Sequence, residues 1–305
     1  MNRIEFKAEL DSLAQGGKYL SQLVKNLANG PSRHLEINKH GTYLHLSDTD
    51  LIFQWNAEDP RTAVASLLAI GEYEPIETQI LLTLSQRSRT ILDIGANIGY
   101  YAVVLGKNLQ DSSHLFSFEP FPAAYEQLTA NIHLNNLSSK VTTLPIALSN
   151  KEGVAELHIP IVSGTSAASM RILHPDENNK NVNIETRCLD NVVQDLQIQD
   201  IDLIKIDVEG AEWLAFQGGW QTVVKNKPVI FAELLRKWSA GFGYHPNEVV
   251  SALREIGYSC YGVSDVLLKI DSITEETIET NFLFMTNSPT HIAMSAALRE
   301  RKLLV

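Results

Sequence analysis

The sequence predicts an α/β fold: an open, mostly parallel sheet covered by helices and preceded by a small α+β appendage. Three observations carry this. Residues 90–94, 114–118, 201–206 and 228–232 are short runs dominated by apolar side chains, as expected of strands buried on both faces of a parallel sheet. Helix-forming stretches separate the first runs at the spacing of βα units. Asp93 and Glu119 stand at the carboxyl ends of the first two runs, the edge where open α/β sheets bind their ligands.

Residues 1–60 read as the appendage. Ile4 to Leu27 carries leucines at helical intervals, broken by Gly16-Gly17 and stopped by Asn29-Gly30-Pro31, which predicts two short helices. His34 to Trp55 alternates around turn signals at His40-Gly41 and Ser47-Asp48, as a small antiparallel sheet would. The larger domain, residues 61–305, starts its βα alternation at Pro75 with a helix to about Gln86. Strand one at Thr90 leads into a helix ending near Asn108, and strand two at His114 precedes a helix from Pro122 to Asn135. Strand three is expected as one run, Val141 to Leu148. An insertion at about 153–187 follows, in which Gly153 to Pro160 alternates like an extra strand before the loop Gly-Thr-Ser-Ala-Ala-Ser; a hairpin beside the mouth of the site is the expectation. Strand four is Ile201 to Ile206, strand five Pro228 to Ala232, and segments around Tyr258 and Phe282 supply the last strands.

Composition narrows the function. The 305 residues are 44% hydrophobic, enough for a sizeable core, and the 25 basic and 36 acidic side chains give a formal net charge of -11 with no basic cluster, which argues against a nucleic-acid partner. Cys188 and Cys260 lack the number for a disulfide framework and the spacing of a zinc site, so a reducing cytoplasm is the expected compartment. The N-terminal residues lack a sustained apolar region, and no uncharged stretch is long enough to span a bilayer, so neither a signal peptide nor a membrane association is expected. The appendage could cover a substrate cleft or form a homodimer contact.

The stretch Thr90 to Tyr101, T-I-L-D-I-G-A-N-I-G-Y-Y, is the strongest chemical signal. Asp93 ends the strand, Gly95 and Gly99 permit a tight turn with close backbone approach, and a helix follows. Glu119, ending strand two, is placed to accept hydrogen bonds from a ribose diol. The glycine spacing is not that of a dinucleotide loop, and Asn97 stands where a pyrophosphate would need open backbone. A nucleoside-bearing cofactor without a diphosphate is implied, and S-adenosylmethionine fits. Asp93 reads either as a cap for the next helix or as a ligand for the cofactor's amino group, and Asn97 either as a cap or as a group facing the cofactor's methionine end.

D-I-G-A-N-I-G-Y-Y at Asp93 to Tyr101, F-E-P at Phe118 to Pro120 and I-K-I-D-V-E-G-A-E at Ile204 to Glu212 together resemble the signatures of the FkbM family of S-adenosylmethionine-dependent methyltransferases, in order and spacing. The resemblance covers roughly Tyr73 to Leu235, about half the chain. It implies a class I methyltransferase, Rossmann-like fold with a seven-stranded, mostly parallel sheet and a terminal antiparallel strand. It also implies methyl transfer to a hydroxyl of a small molecule, a natural product or glycan unit. Tyr73 and Glu74, before the first helix, would contact cofactor or substrate, as would Pro120 beside Glu119. The end of strand three, L-P-I-A-L-S-N, offers no acid for adenine, which would then meet backbone around Ala147 and Leu148 or an unassigned side chain. Asp207 ends strand four where related enzymes place a base or metal ligand, and Glu233 at the end of strand five could converge with it on a magnesium-like ion. His245, in a loop before Pro246, is a third candidate for proton removal. Glu209 and Glu212 read equally as helix caps, Ser166 and Ser169 as loop serines, and Trp213, Trp220 and Trp238 as packing residues. Two rival functions stand beside this one: a non-catalytic cofactor-binding regulatory subunit, and an N-methyltransferase, whose prolines and aromatic are missing from the strand-four motif.

Overall fold

A computed structural model describes residues 33–56, 59, 62–161 and 164–304. The chain divides into two compact units, Met1–Tyr73 and Glu74–Val305. The two helices expected within Ile4 to Leu27 lie outside the described residues.

In the first unit, β1 (Arg33–Asn38), β2 (Gly41–Leu46) and β3 (Leu51–Trp55) form an antiparallel meander, turning where the two turn signals stand. Alternation puts Leu44, Leu46, Leu51 and Phe53 on one buried face. A short helix, α1 (Ala63–Ala69), packs on β3, and the Thr62 hydroxyl accepts from the amide of Ala65 at its start.

The second unit is built on one sheet. Its parallel strands are β4 (Thr90–Ile94), β5 (His114–Phe118), β6 (Val141–Leu144), β10 (Ile201–Ile206) and β11 (Val229–Glu233). Between β6 and β10 lie β7 (Ala147–Leu148), β8 (Gly153–Pro160) and β9 (Asn179–Arg187), which form a separate three-stranded sheet of order β7-β9-β8. After β11 come β12 (Ser259–Val263), β13 (Leu267–Ile270) and β14 (Asn281–Met285), and the main sheet runs β13-β12-β14-β11-β10-β4-β5-β6. Strand β14 enters antiparallel between β11 and β12. The seven expected strands are thus present, and β13 adds an eighth at the edge by folding back on β12.

One expectation needs correcting. The run Val141 to Leu148 is two strands, because Pro145 cannot donate to a ladder; the chain leaves the main sheet there and re-pairs with β9. The insertion is the expected hairpin, its register running from Gly153↔Thr186 to Pro160↔Asn179.

Helices α2 (Pro75–Ser85), α3 (Tyr100–Asn108) and α4 (Pro122–Leu134) pack side by side, with α10 (Pro289–Glu300) against α2. On the opposite face, α5 (Leu189–Asp195), α6 (Glu212–Gly218), α7 (Trp220–Asn226) and α9 (Pro246–Glu255) cover a core that takes Leu92, Ile204, Ile206, Ile230 and Phe284 from the strands. Period-two alternation then sends Asp93 and Lys205 to the other face, toward α3. A last short helix, α8 (Arg236–Gly241), follows β11. Among the described residues no helix is long and apolar enough to cross a membrane.

Candidate active site

Backbone hydrogen bonds bring the loops after β4, β5 and β10 to one edge of the sheet. The amides of Gly95 and Ala96 donate to the Phe118 carbonyl at 3.0 and 2.9 Å, and the Asp207 amide donates to Ile94 at 3.0 Å. Gly95 has φ +79°, and a Cβ there would stand 1.8 Å from the Asp207 carbonyl oxygen, so no side chain fits. Gly99, at φ +87°, abuts the Leu128 side chain of α4 in the same way, at 2.5 Å. Both glycines are therefore demanded by packing as well as by the turn.

Asp93 is fully buried, and neither carboxylate oxygen has a hydrogen-bond partner. Burial pushes its pKa up, opposed by the nearby Lys205 ammonium. Lys205 is its register partner on β10, with Nζ 3.7 Å from Asp93 Oδ1, an ion-pair distance too long for a hydrogen bond. The same ammonium donates to the Gly95 carbonyl at 3.1 Å and to Asp207 Oδ2 at 3.4 Å, and lies 5.4 Å from the centre of the Tyr101 ring. Burial alone would lower the pKa of Lys205, yet the surrounding acids, Asp207 first, then Asp93, Glu74 and Glu233, raise it well above the ordinary lysine value. Glu74, in a left-handed conformation at the start of α2, accepts from the Tyr101 hydroxyl at 2.5 Å and so joins this network. Tyr73 is the last residue of the other unit.

Lys205 is the residue that motif reading passed over. Its signal was present in the sequence: a lysine inside the apolar run I-D-L-I-K-I of a strand buried on both faces must have a partner.

Glu119 ties two loops together, its Oε2 accepting from the Asn97 amide and its Oε1 from the Phe121 amide, both at 2.8 Å. Each oxygen keeps a lone pair, and burial raises the carboxyl pKa to about 7 against these amides. Asn97 turns its own Oδ1 onto the Ile98 amide, within the loop that precedes α3. Pro120 follows Glu119 half-buried, and Ala147 and Leu148 are buried in β7.

Asp207, Glu209 and Glu233 converge, each offering an oxygen, with these oxygens within 4.8 Å of one another. Glu209 completes a trio in which the sequence suggested only the other two. Burial and the Asp207 charge raise Glu209 to about 9, and burial with the charges of Asp207 and Glu209 raises Glu233 to about 11. Both acids are thus pushed toward their neutral form, while Asp207, about a third exposed and 3.4 Å from the Lys205 ammonium, faces solvent. Glu212 is a structural acid: it accepts from the amides of Val208 and Gly210 at 3.2 and 3.0 Å and from the Tyr244 hydroxyl at 3.0 Å, fixing the loop that carries Asp207. His245 is exposed and caps α9, its Nδ1 accepting from the Asn247 amide at 3.2 Å. The described contacts give His245 this capping role and do not join it to the carboxylates.

Glu119 and Glu212 are both raised from 4.5 to about 7 mainly by burial, so the folded chain binds protons that the unfolded chain has released. Their stabilising contribution is complete below about pH 4.5 and is lost as pH rises through about 7. Thermal unfolding of the ligand-free chain should therefore show Tm falling by several degrees between pH 5 and pH 8. A flat or rising Tm across that interval would place these acids in a more polar setting than described.

The insertion reaches the same edge. Ser169, buried, donates its hydroxyl to the Glu209 carbonyl at 2.8 Å, while its backbone pairs with His158 of β8. Gly210 is packed against the Trp238 carbonyl and the Phe242 ring, where a Cβ would meet atoms at 2.8 and 2.9 Å.

Residues 93–260 match the model of the methyltransferase FkbM domain. Methyltransferase sdnD of Sordaria araneosa is 30% identical over 159 residues, 42% of this chain and 59% of the relative. The 2-O-methyltransferase NoeI of Sinorhizobium fredii is 28% identical over 164 residues, 50% of this chain and 66% of the relative. The chain thus spans less than two thirds of the length of either relative. Among solved structures, methyltransferase FkbM of Methylobacillus flagellatus KT superposes with a TM-score of 0.40 at 16% identity, covering 65% of this chain and 44% of that one.

Proposed function

The chain belongs to the methyltransferase FkbM family, whose domain model covers residues 93–260, and on that premise we propose that it is an S-adenosylmethionine-dependent O-methyltransferase acting on a hydroxyl of a small molecule, a natural product or glycan unit. The observation that supports it best is the pair of buried acids at the ends of β4 and β5. Asp93 has two oxygens without hydrogen-bond partners, which suits a ligand's ammonium group, and Glu119 has one spare lone pair on each oxygen, which suits a diol. The cofactor, when bound, supplies a methyl group already activated on a sulfonium. The name of NoeI, a 2-O-methyltransferase, supports oxygen as the accepting atom.

The chain then has two tasks, to align the hydroxyl and to take its proton. Asp207 is suited to the second because it is solvent-facing beside the Lys205 ammonium. Glu233 and Glu209 stand beside it, with their oxygens within 4.8 Å of its own. Three oxygens within 4.8 Å are also the donor set that a magnesium-like ion takes, so Asp207, Glu209 and Glu233 are the residues that would hold one.

Calorimetry with S-adenosylhomocysteine tests the cofactor half. The full chain should bind it, and Glu119→Gln should weaken binding about tenfold or more, the loss of a charge-assisted hydrogen bond. Glutamine keeps an acceptor for one of the two amides, so the loop survives better than with alanine. Binding should also tighten as pH rises through about 7, where Glu119 ionises and becomes acceptor-only. No binding by the wild-type chain would end the methyltransferase reading; unchanged affinity in a folded Glu119→Gln variant would remove Glu119 from the cofactor site.

A further inference from the structure

The loop that carries Glu209 is held in a conformation that an ordinary residue avoids. Glu209 has φ +50° and Gly210 φ +96°, two left-handed residues in succession. A residue with a side chain stays in that region only where its surroundings fix it. The fixing groups meet on one peptide unit, the one joining Glu209 to Gly210. Its N–H, from Gly210, donates to Glu212 Oε1 at 3.0 Å, and its carbonyl, from Glu209, accepts from the Ser169 hydroxyl at 2.8 Å. One hold comes from the start of α6 and the other from the insertion.

Ser169 is itself built into place. Its amide and carbonyl exchange hydrogen bonds with the backbone of His158 on β8, at 3.0 and 2.8 Å. Its neighbours Ala168 and Met170 pack on a cluster that joins Leu157, Ile159 and Ile184 of the hairpin to Phe121. Phe121 closes the turn after β5, where its amide donates to Glu119. The insertion is therefore seated on the loop of one buried acid and reaches the peptide of another. Ser169 is buried, so its hydroxyl acts in a place of low polarity, where a hydrogen bond is stronger than in water.

We propose that Ser169 is a positioning residue of the reaction site: its hydroxyl fixes the peptide between Glu209 and Gly210 and thereby holds the Glu209 carboxylate beside Asp207 and Glu233. This rests on reading that trio as the place of methyl transfer, and it deepens that reading by making the insertion a working part of the site rather than a cover over it. The link is short. A Glu209 that relaxed from φ +50° to an ordinary negative φ would redirect its Cα–Cβ bond and carry the carboxylate away. Its oxygen now lies within 4.8 Å of those of Asp207 and Glu233, and acids so close repel one another whenever more than one is ionised. A fixed backbone keeps Glu209 among them.

Ser169→Ala removes the hydroxyl and little else. Amide hydrogen exchange of the full chain, read by NMR, should show the Gly210 amide exchanging about three- to tenfold faster in this variant, the worth of one hydrogen bond, with the amides of β4 and β10 unchanged. The Glu209 carboxyl carbon, identified by its loss in Glu209→Gln, should move from its wild-type resonance at neutral pH as the carboxylate leaves its neighbours. Ser169→Thr keeps the hydroxyl and should return both readings to wild type. An unchanged Gly210 amide in Ser169→Ala would mean that Glu212 holds the peptide alone. An unmoved Glu209 resonance would mean that the hydrogen bond does not place the carboxylate, and a Ser169→Thr chain that behaves as Ser169→Ala would assign the effect to bulk. Each of these overturns the proposal. The readings need no cofactor, and S-adenosylhomocysteine affinity should be the same in wild type and both Ser169 variants. Failure of the wild-type chain to bind it is a separate result, and it would overturn the methyltransferase reading.

Discussion

Asp207→Asn should lower methyl transfer by about a hundredfold to ten-thousandfold, the usual worth of a positioned general base, while S-adenosylhomocysteine affinity and Tm stay close to wild type. The substitution nearly preserves size and removes the charge. Asp207 is about a third exposed, its contact to Lys205 is long at 3.4 Å, and asparagine keeps a polar group beside Glu209 and Glu233, so the fold depends on its charge weakly. Its carboxylate nevertheless stands at the carboxyl end of β10, beside the glycine loop that packs against its own carbonyl. Chelator separates the two ways in which the acid can act. If the trio holds a divalent ion, chelator abolishes turnover and magnesium restores it; if Asp207 takes the proton directly, chelator changes nothing. Full activity in a folded Asp207→Asn chain would leave both versions without support.

The contrast between what sequence reading reached and what it missed follows the kind of signal each residue emits. Asp93 and the glycines lie in a short segment whose spacing constrains the turn, Glu119 follows the next apolar run, and the strand ends could be placed from apolar runs alone. The position of Asp207 and Glu233 followed from the same runs, since parallel strands put their carboxyl ends at one edge. Pro145 should have split strand three, but an apolar run on either side of it hides a change of sheet. Register was beyond reach. Only the pairing of Lys205 with Asp93 across β10 and β4 shows why a lysine sits in a buried strand, and pairing depends on contacts 112 residues apart. The Ser169 hydroxyl on the Glu209 carbonyl is of the same kind: a tertiary hydrogen bond from an insertion whose loop composition looks ordinary. His245 shows the reverse case, where a catalytic type of side chain in a loop before proline has a local explanation, the capping box it forms with Glu248.

Lys205→Met should cost about 3–5 kcal/mol of folding stability at neutral pH, the penalty for breaking a buried ion pair by removing one partner. Methionine matches the length of the lysine stem, so packing against Tyr101 is largely kept and the loss is electrostatic. Asp93 would be left fully buried with no opposing charge, and its pKa, already raised by burial, would rise further. The deficit should therefore shrink as pH falls and Asp93 takes a proton in both chains. Urea unfolding at pH 5 and pH 8 measures this directly. Coupling provides the second check: adding Asp93→Asn to Lys205→Met should cost less than the two single changes together, by about 0.5–3 kcal/mol, because neutralising the orphaned acid relieves what the first change exposed. Additive effects, or a Lys205→Met chain as stable as wild type at pH 8, would show that the ammonium is held by the Gly95 carbonyl and its surroundings rather than by the acids. The same variant bears on the proposed chemistry, since Lys205 contacts the glycine loop, Asp93 and Asp207 at once. Losing it should weaken S-adenosylhomocysteine binding and turnover together, whereas Asp207→Asn should affect turnover alone.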